Sequence, residues 1–258
     1  MEKQEIQKIR DYPVMKSNEM IQNTSFLLDK QEYNLLQFII SKIKPEDTEI
    51  KPITLSLLEY CNLCNIQSKG SNYDDIKSSL KALADKSVWF KAEDGGEQLV
   101  RWIEDPYVNK GDGIVKVELK KIWHKHLLEL KEYYTRIDMN VIIPMKSIYG
   151  KRMYELLMSY LMNPNGTYSK TFELTELKEK MLGKEEAQIK YKDYKNFKAK
   201  VIKPALKDIE NYGILDIEMK EKKYGKSVGE LQFIIKVKDI KERLLAGQLS
   251  MNFFEEKV

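Results

Sequence analysis

The two halves of this chain of 258 residues carry the same short motifs in the same order. YNLL matches YELL, ITLSLLE matches FELTELK, and LKALADKSVWF matches LKDIENYGILD in the placing of their apolar residues. The paired motifs begin at Tyr33 and Tyr154, at Ile53 and Phe172, and at Leu80 and Leu206, which gives offsets of 121, 119 and 126 residues. Ordered self-similarity of this kind indicates a repeated structural unit.

Each copy is predicted to hold three helices followed by a β-hairpin. In the first copy, Asp29 with Glu32 and Ser56 with Glu59 form helix-starting signals. A third helix is expected over residues 72–86, and the strands SVWFKA and QLVRWIE flank a turn at Gly95 and Gly96. In the second copy, helices are expected over 147–162, 175–182 and 191–211, with Thr175 as an N-cap. Its hairpin joins ILDIEM to LQFIIKV through the loop KEKKYGKSVGE.

Three helices and a two-stranded wing make a winged-helix domain, in which the third helix enters the major groove of DNA. The predicted fold is therefore α+β, with two winged-helix domains in tandem. We place an N-terminal tail at 1–13, domain 1 at 14–143, domain 2 at 144–238 and a C-terminal tail at 239–258.

Positive charge is concentrated in the second domain. Residues 1–143 hold 21 Lys and Arg against 23 Asp and Glu, whereas residues 144–238 hold 20 against 13. In the third helix, YKDYKNFKAKVIKPALKDIENYG, the apolar residues Tyr194, Phe197, Val201, Ala205, Ile209 and Tyr212 recur at helical spacing. The opposite face is basic, Pro204 should bend the helix near Lys200, and the wing loop adds Lys220, Lys222, Lys223 and Lys226. Such a surface favours a polyanionic partner.

The third helix of the first copy differs, because Asp74 and Asp75 lie where phosphates would approach. The first domain is therefore expected to be the weaker DNA reader, and to mediate dimerisation or contact the DNA backbone. Its hairpin carries Val88, Trp89, Phe90, Val100, Trp102 and Ile103. Because strand residues alternate between two faces, either some apolar surface is left for a partner or the strand GIVKVEL covers it.

Several segments resemble the plasmid replication initiators that bind iterons. Four segments look like parts of their second winged-helix domain: SIYGKRMYELLMSY, FELTELKEKM, YKDYKNFKAKVIKPALKDI and ELQFIIKV. The opening of their first domain resembles VMKSNEMIQNTSFLLDKQEYNLLQFII, and its end resembles GIVKVELKKIWHKHLLELKEYYTRIDM. One departure is Gly150, where the family often has serine.

The resemblance implies a protein that binds direct repeats at a plasmid origin, helps to open the duplex and recruits host replication proteins. It also implies a switch in which monomers bind the repeats and dimers, joined through the first domain, repress the protein's own promoter. Double-stranded DNA, a second copy and host proteins would be its partners. The alternative is a plain dimeric winged-helix repressor with no role in initiation.

The resemblance places base reading on the exposed, N-terminal half of the third helix. The candidate DNA-binding residues are Lys192, Lys195, Asn196, Lys200, Lys203, Lys222, Lys223 and Lys226, together with Arg152 as a backbone contact. Asparagine pairs bidentately with adenine, and lysine donates to guanine or to phosphate, so Asn196 is the preferred base reader.

The C-terminal tail contains QLSMNF, which looks like the short peptide by which bacterial proteins dock on the replicative sliding clamp. Gln248 would bond at the rim of the pocket, while Leu249, Met251 and Phe253 would fill an apolar groove. The alternative is that this apolar cluster folds back and caps a core.

Other chemistries are less well supported. Cys61 and Cys64 have CxxC spacing and could join His124 and His126 in a zinc site, but cysteines beside Leu63 at a helix end also pack well. Lys125 between the histidines disfavours the metal-binding pair of a rolling-circle nuclease, and there is no GxxxxGK[ST] loop for ATP. We therefore expect no catalytic residue, metal or cofactor.

The chain is also predicted to be cytoplasmic. Its N-terminal sequence, MEKQEIQKIRDYP, is charged and lacks the apolar core of a signal peptide. Two neighbouring cysteines give no disulfide framework, and no apolar run approaches the ~20 residues of a membrane span.

Overall fold

A computed structural model describes residues 13–24, 28–44, 47–67, 70–91, 95–161, 166–239, 242 and 245. By its backbone contacts the chain divides into two units. Among the described residues, unit 1 comprises those within 13–23 and 28–143, and unit 2 comprises residue 24, those within 144–239, and residues 242 and 245. Within those residues no helix is long and apolar enough to cross a bilayer.

Unit 1 mixes short strands and helices. Its strands are β1 Val14–Ser17, β2 Ile53–Ser56, β3 Ser87–Lys91, β4 Glu97–Arg101, β5 Glu104–Asn109, β6 Ile114–Glu118 and β7 Tyr134–Ile137. Its helices are α1 Asn18–Asn23, α2 Lys30–Ile40, α3 Leu57–Leu63, α4 Gly70–Asp85, α5 His124–Leu127 and α6 Met139–Ile142, and a 3-10 turn spans Lys121–Trp123.

Two helix starts in unit 1 confirm the predicted capping. The Asp29 carboxylate accepts from the backbone N–H groups of Gln31 and Glu32 at 2.8 Å, and Glu32 accepts from the Asp29 N–H at 2.8 Å. Ser56 Oγ accepts from Glu59 N at 3.2 Å. Each cap satisfies donors that the first turn leaves without partners, and typically contributes about 1 kcal/mol.

The sheets of unit 1 differ from the prediction of a single hairpin wing. The hairpin β3–β4 forms as expected, with Trp89 opposite Leu99. However, β6 pairs with β2 on one side and with β5 on the other, and β5 was not predicted. Pro106 and the adjacent Glu104 and Asp105 hide β5 in the sequence, since proline and aspartate are depleted in strands. In topology, β5–β6 therefore takes the wing position.

On the inward face of the β3–β4 hairpin, Phe90 packs against aromatic residues of the segment that follows β6. Val88, Phe90 and Val100 are buried. The ring of Phe90 meets Trp123 edge-on at 5.7 Å, and Trp102 stacks on Trp123 at 5.1 Å between ring centroids. The alternative in which apolar surface is left uncovered is favoured within unit 1: KIWHKH packs against Phe90 on one face, and Trp89 and Leu99 are exposed on the other.

Unit 2 has the element order of a single winged-helix domain. It contains α7 Ile148–Met158, β8 Thr167–Glu173, α8 Leu174–Leu182, α9 Lys184–Ile189, α10 Tyr194–Phe197, a π-helical turn Lys198–Ile202, α11 Lys203–Tyr212, β9 Leu215–Tyr224 and β10 Ser227–Val237. The strands form one antiparallel sheet in the order β8-β10-β9. The side chains of Phe172, Leu231, Phe233 and Ile235 are buried on its inner face.

Two local predictions for unit 2 are wrong. Thr175 is not an N-cap, because strand β8 runs to Glu173 and the helix begins at Leu174, one residue earlier. The segment KEKKYGKSVGE is not a long loop, because β9 and β10 continue through it to a turn at Gly225 and Lys226. Gly225 has φ +62°, as the first central residue of a type II′ turn requires. Charged cross-strand neighbours made this hairpin look like a loop.

Candidate nucleic-acid interface

The basic helix of unit 2, defined here as residues 194–212, keeps a buried back. Phe197, Val201 and Ala205 are fully buried and Ile209 is nearly so. The predicted apolar stripe is therefore confirmed, with Tyr194 and Tyr212 half-buried at its ends. The helix starts at Tyr194 and not at Tyr191, because Tyr191 has φ +53°, which a right-handed helix excludes.

Pro204 changes the hydrogen bonding of the helix at the place where a bend was expected. The backbone N–H of Lys203 donates to the carbonyl of Lys198, five residues earlier, within the π-helical turn Lys198–Ile202. Proline has no N–H and its ring crowds the carbonyl of Lys200, so the regular ladder cannot continue there. Such turns insert one extra residue into a helix and often mark functional sites.

The outer face of the basic helix presents positive charge. The side chains of Lys195, Asn196, Lys200 and Lys203 are exposed, and none of the three lysines forms an ion pair with a described residue. Lys192 is also exposed but lies in the loop that precedes the helix. The structure therefore brings four of the predicted base readers together on one helical face, with the fifth just before it.

Lys178 fixes that preceding loop. Its ammonium donates to the carbonyl of Lys192 at 2.7 Å and lies 5.7 Å from the ring centroid of Phe197. The residue is 9% exposed, and burial lowers the pKa of its side chain. The motif FELTELK gave no sign of this role, because a lysine in a helix normally points to solvent.

Glu221 on strand β9 joins the wing to the start of the basic helix. One oxygen of its carboxylate accepts from the Tyr194 hydroxyl at 2.6 Å and from the Lys198 ammonium at 2.6 Å. These bonds hold the pKa of Glu221 below its usual value, with Lys198 the larger cause. Sequence reasoning missed this contact, although Glu221 continues the inward alternation of Leu215, Ile217 and Met219, and a half-buried Tyr hydroxyl normally has a partner.

The wing lysines divide into two groups. Lys220 pairs with Glu218 at 3.2 Å and Lys222 with Glu230 at 3.3 Å. Lys223 and Lys226, at the tip, are exposed and form no ion pair with a described residue. The tip lysines are therefore the freest cations of the wing for phosphate contact.

Arg152 is enclosed rather than available for the predicted contact with the DNA backbone. Its side chain is 4% exposed and contacts Glu155 at 3.3 Å in α7. Further guanidinium nitrogens donate to the backbone carbonyls of Lys180 and Thr24, both in unit 2. Helix α7 is buried on nearly every side, so its polar residues are enclosed. A contact of Arg152 with the DNA backbone is therefore not supported.

The remaining candidates do not form a site in the described part of the chain. No group of three or more histidine, cysteine or acidic residues there has the arrangement of a metal site. His126 Nδ1 instead bonds Ser17 Oγ at 2.8 Å beside the ring of Phe90, and Cys61 is a buried free thiol. Gln248, Leu249, Met251 and Phe253 lie outside the described residues.

Comparisons with known proteins agree with this architecture. Residues 13–158 match the family model "Initiator Replication protein, WH1", and residues 173–235 match "Initiator Rep protein, WH2". The comparison with curated proteins gave no match.

Among solved structures, the Pi initiator protein in complex with iteron DNA has a TM-score of 0.68 at 15% identity, covering 89% of this chain and 99% of that chain. Domains 2 and 3 of RctB give a TM-score of 0.47 at 13% identity, with 81% of each chain covered. The match to Pi confirms the tandem winged-helix fold. Because the two family models cover most of its length, this chain belongs to the initiator replication (Rep) protein family.

Proposed function

We propose that this protein binds directly repeated sites at a plasmid origin and starts replication there. The observation that carries the proposal is the exposed row of Lys195, Asn196, Lys200 and Lys203 on a helix with a fully buried back. A solved relative in fold is described as bound to iteron DNA. Dense positive charge without paired carboxylates is the surface that phosphates need.

Within this proposal the residues have separate roles. Asn196 reads a base in the major groove, with adenine its bidentate partner. Lys195, Lys200 and Lys203 contact guanine edges or phosphates beside it, and Lys192 approaches from the preceding loop. Lys223 and Lys226 at the wing tip hold the adjoining backbone, and Lys222 joins them when it leaves Glu230. No residue acts as a catalyst, and neither a metal nor a cofactor takes part.

A footprint of the full-length protein on the DNA that flanks its own gene tests the proposal. We expect protection of several direct repeats with the spacing of about one helical turn or a multiple of it. Protection of a single inverted repeat would instead favour the alternative of a plain dimeric repressor. No protection anywhere would contradict both.

For unit 1, the proposed role is dimerisation through the β3–β4 hairpin. Trp89 and Leu99 face each other across the two strands and are 55% and 53% exposed. Helix α4 offers little to DNA, because Asp74 and Asp75 are exposed and Asp74 forms an ion pair with Lys110. In this proposal dimers repress the protein's own promoter, while monomers occupy the repeats.

Recruitment of host replication proteins completes the proposal, and QLSMNF is its candidate sliding-clamp contact. A peptide covering residues 244–258 should bind purified clamp with a Kd of roughly micromolar order, as expected for a few apolar anchors. Replacing Gln248 and Phe253 with alanine should abolish clamp binding and leave DNA binding intact. Failure of the peptide to bind, or unfolding of the doubly substituted protein, would assign the tail a structural role.

A further inference from the structure

Lys198 is the one lysine in the first two turns of the basic helix that a described residue neutralises. Its ammonium lies 2.6 Å from Glu221 Oε1, while Lys195 and Lys200 form no ion pair with described residues. The side chains of Lys198 and Glu221 are 35% and 24% exposed, so the pair borders the outer surface. A carboxylate at this border repels the phosphates of DNA, so it weakens binding unless it has another role.

The geometry makes this contact specific. Tyr194 and Lys198 are four residues apart and therefore lie on the same side of the helix. Both donate to the same oxygen, Glu221 Oε1, each at 2.6 Å. Glu221 pairs in register with the fully buried Leu231, so it stands on the face of the wing sheet that packs on the helices.

From this geometry, and resting on the proposed function, we propose that Glu221 is a specificity determinant for DNA binding. It withholds the charge of Lys198 from the phosphate backbone and ties the start of the basic helix to the wing. Withholding one cation lowers affinity for every sequence, because nonspecific binding is almost wholly electrostatic. Holding helix and wing together preserves the base contacts of Asn196, so the ratio of specific to nonspecific affinity rises.

The test is Glu221→Gln in the full-length protein, which removes the charge and keeps a group that can bond Tyr194. Affinity is measured over a salt series for a random duplex and for the footprinted repeat. We expect nonspecific affinity to rise about fivefold, the log–log salt slope to steepen by about 0.9, and the specific-to-nonspecific ratio to fall.

Asp216→Asn is the matched control. Asp216 lies on the same strand as Glu221, and its substitution changes the charge by the same amount. The substitution frees Lys236, whose ammonium lies 2.9 Å from the Asp216 carboxylate at the end of the hairpin away from the tip. This variant should leave the slope unchanged. Tyr194→Phe, which keeps the Lys198–Glu221 pair, should also leave the slope unchanged while weakening repeat binding severalfold.

A second substitution separates withheld charge from loss of structure. Lys198→Gln alone should weaken nonspecific binding, because it leaves the Glu221 carboxylate unpaired beside a polyanion, and added to Glu221→Gln it should restore the original slope. If Glu221→Gln leaves the random-duplex slope unchanged, or weakens binding to both duplexes equally, the inference is wrong. The random-duplex arm requires no repeat, so a protein that prefers no repeat would refute the proposed function separately.

Discussion

Gly150 lies where α7 meets α11, and a Cβ built on it would be 2.6 Å from Asp208 Oδ2 and 2.7 Å from Asp208 Cβ. Asp208 is 5% exposed and accepts from the backbone N–H of Ser147 at 2.6 Å, so it cannot withdraw without losing that bond. Gly150, where the family often has serine, therefore leaves the space that the Asp208 side chain occupies.

Gly150→Ala should therefore lower the free energy of unfolding by about 1–3 kcal/mol through overpacking. Urea denaturation measures this loss. Gly70→Ala is the control, because a Cβ at Gly70 meets nothing within 4 Å, and it should change stability by no more than about 0.5 kcal/mol. Equal losses from the two substitutions would show that the close approach of Asp208 has no energetic weight.

His126 gives unit 1 a dependence on pH. Burial, and then the neighbouring charge of Lys125, lower the pKa of its ring to about 4. The unfolded chain therefore binds a proton more readily than the folded chain between about pH 6.5 and 4, and stability falls as pH decreases through this window.

We expect the protein to lose roughly 2 kcal/mol of stability from this residue between pH 6.5 and 4. In a His126→Asn variant, that part of the decline should be missing from the unfolding free energies measured over the same range. A variant whose stability declines in parallel with the unsubstituted protein would show that His126 titrates normally.

Among the elements, those with strong local signals were predictable from the sequence. The capped helices of unit 1, the β3–β4 hairpin and the buried stripe of the basic helix follow from capping residues, alternation and helical spacing. Strand β5 and the full length of the wing strands escaped prediction, because proline and charged residues give a weak strand signal, whereas in the wing Lys222 pairs with Glu230 and Lys236 with Asp216 across the two strands. The burial of Arg152 and Lys178 was not predicted, because it depends on packing against residues distant in sequence and not on the residue type at these positions.

The tip of the wing supplies a prediction of its own. If Lys223 contacts a phosphate, Lys223→Ala should weaken binding to all sequences alike and flatten the log–log salt slope by about one unit. Lys236→Ala, at the base of the same hairpin and paired with Asp216, should leave the slope as it is. A salt titration compares the unsubstituted protein with the two variants. Equal slopes for all three would show that Lys223 contacts no phosphate.

In the whole molecule, we propose that the second half binds DNA and that the first half mediates dimerisation. Residues 144–238 hold the excess of basic residues, and residues 1–143 hold the exposed pair Trp89 and Leu99. We expect Trp89→Lys to raise the dimer dissociation constant at least tenfold, because it places a charge in an apolar contact. Tyr107→Lys, at an equally exposed aromatic residue of unit 1, is the control.

Sedimentation of the full-length variants over a range of concentrations measures this effect. A dimer unaffected by Trp89→Lys, or weakened as much by Tyr107→Lys, would place the subunit contact elsewhere.

If the exposed face of the basic helix reads the DNA sequence, Asn196→Ala should change the base preference of the protein. Binding of the full-length protein to a library of repeat variants, with every position changed in turn, gives the preference at each base pair. We predict that Asn196→Ala loses preference at one position, at a cost of about 1–3 kcal/mol, and keeps it at the others. Preferences identical to those of the unsubstituted protein would show that this face of the helix does not read the sequence through Asn196.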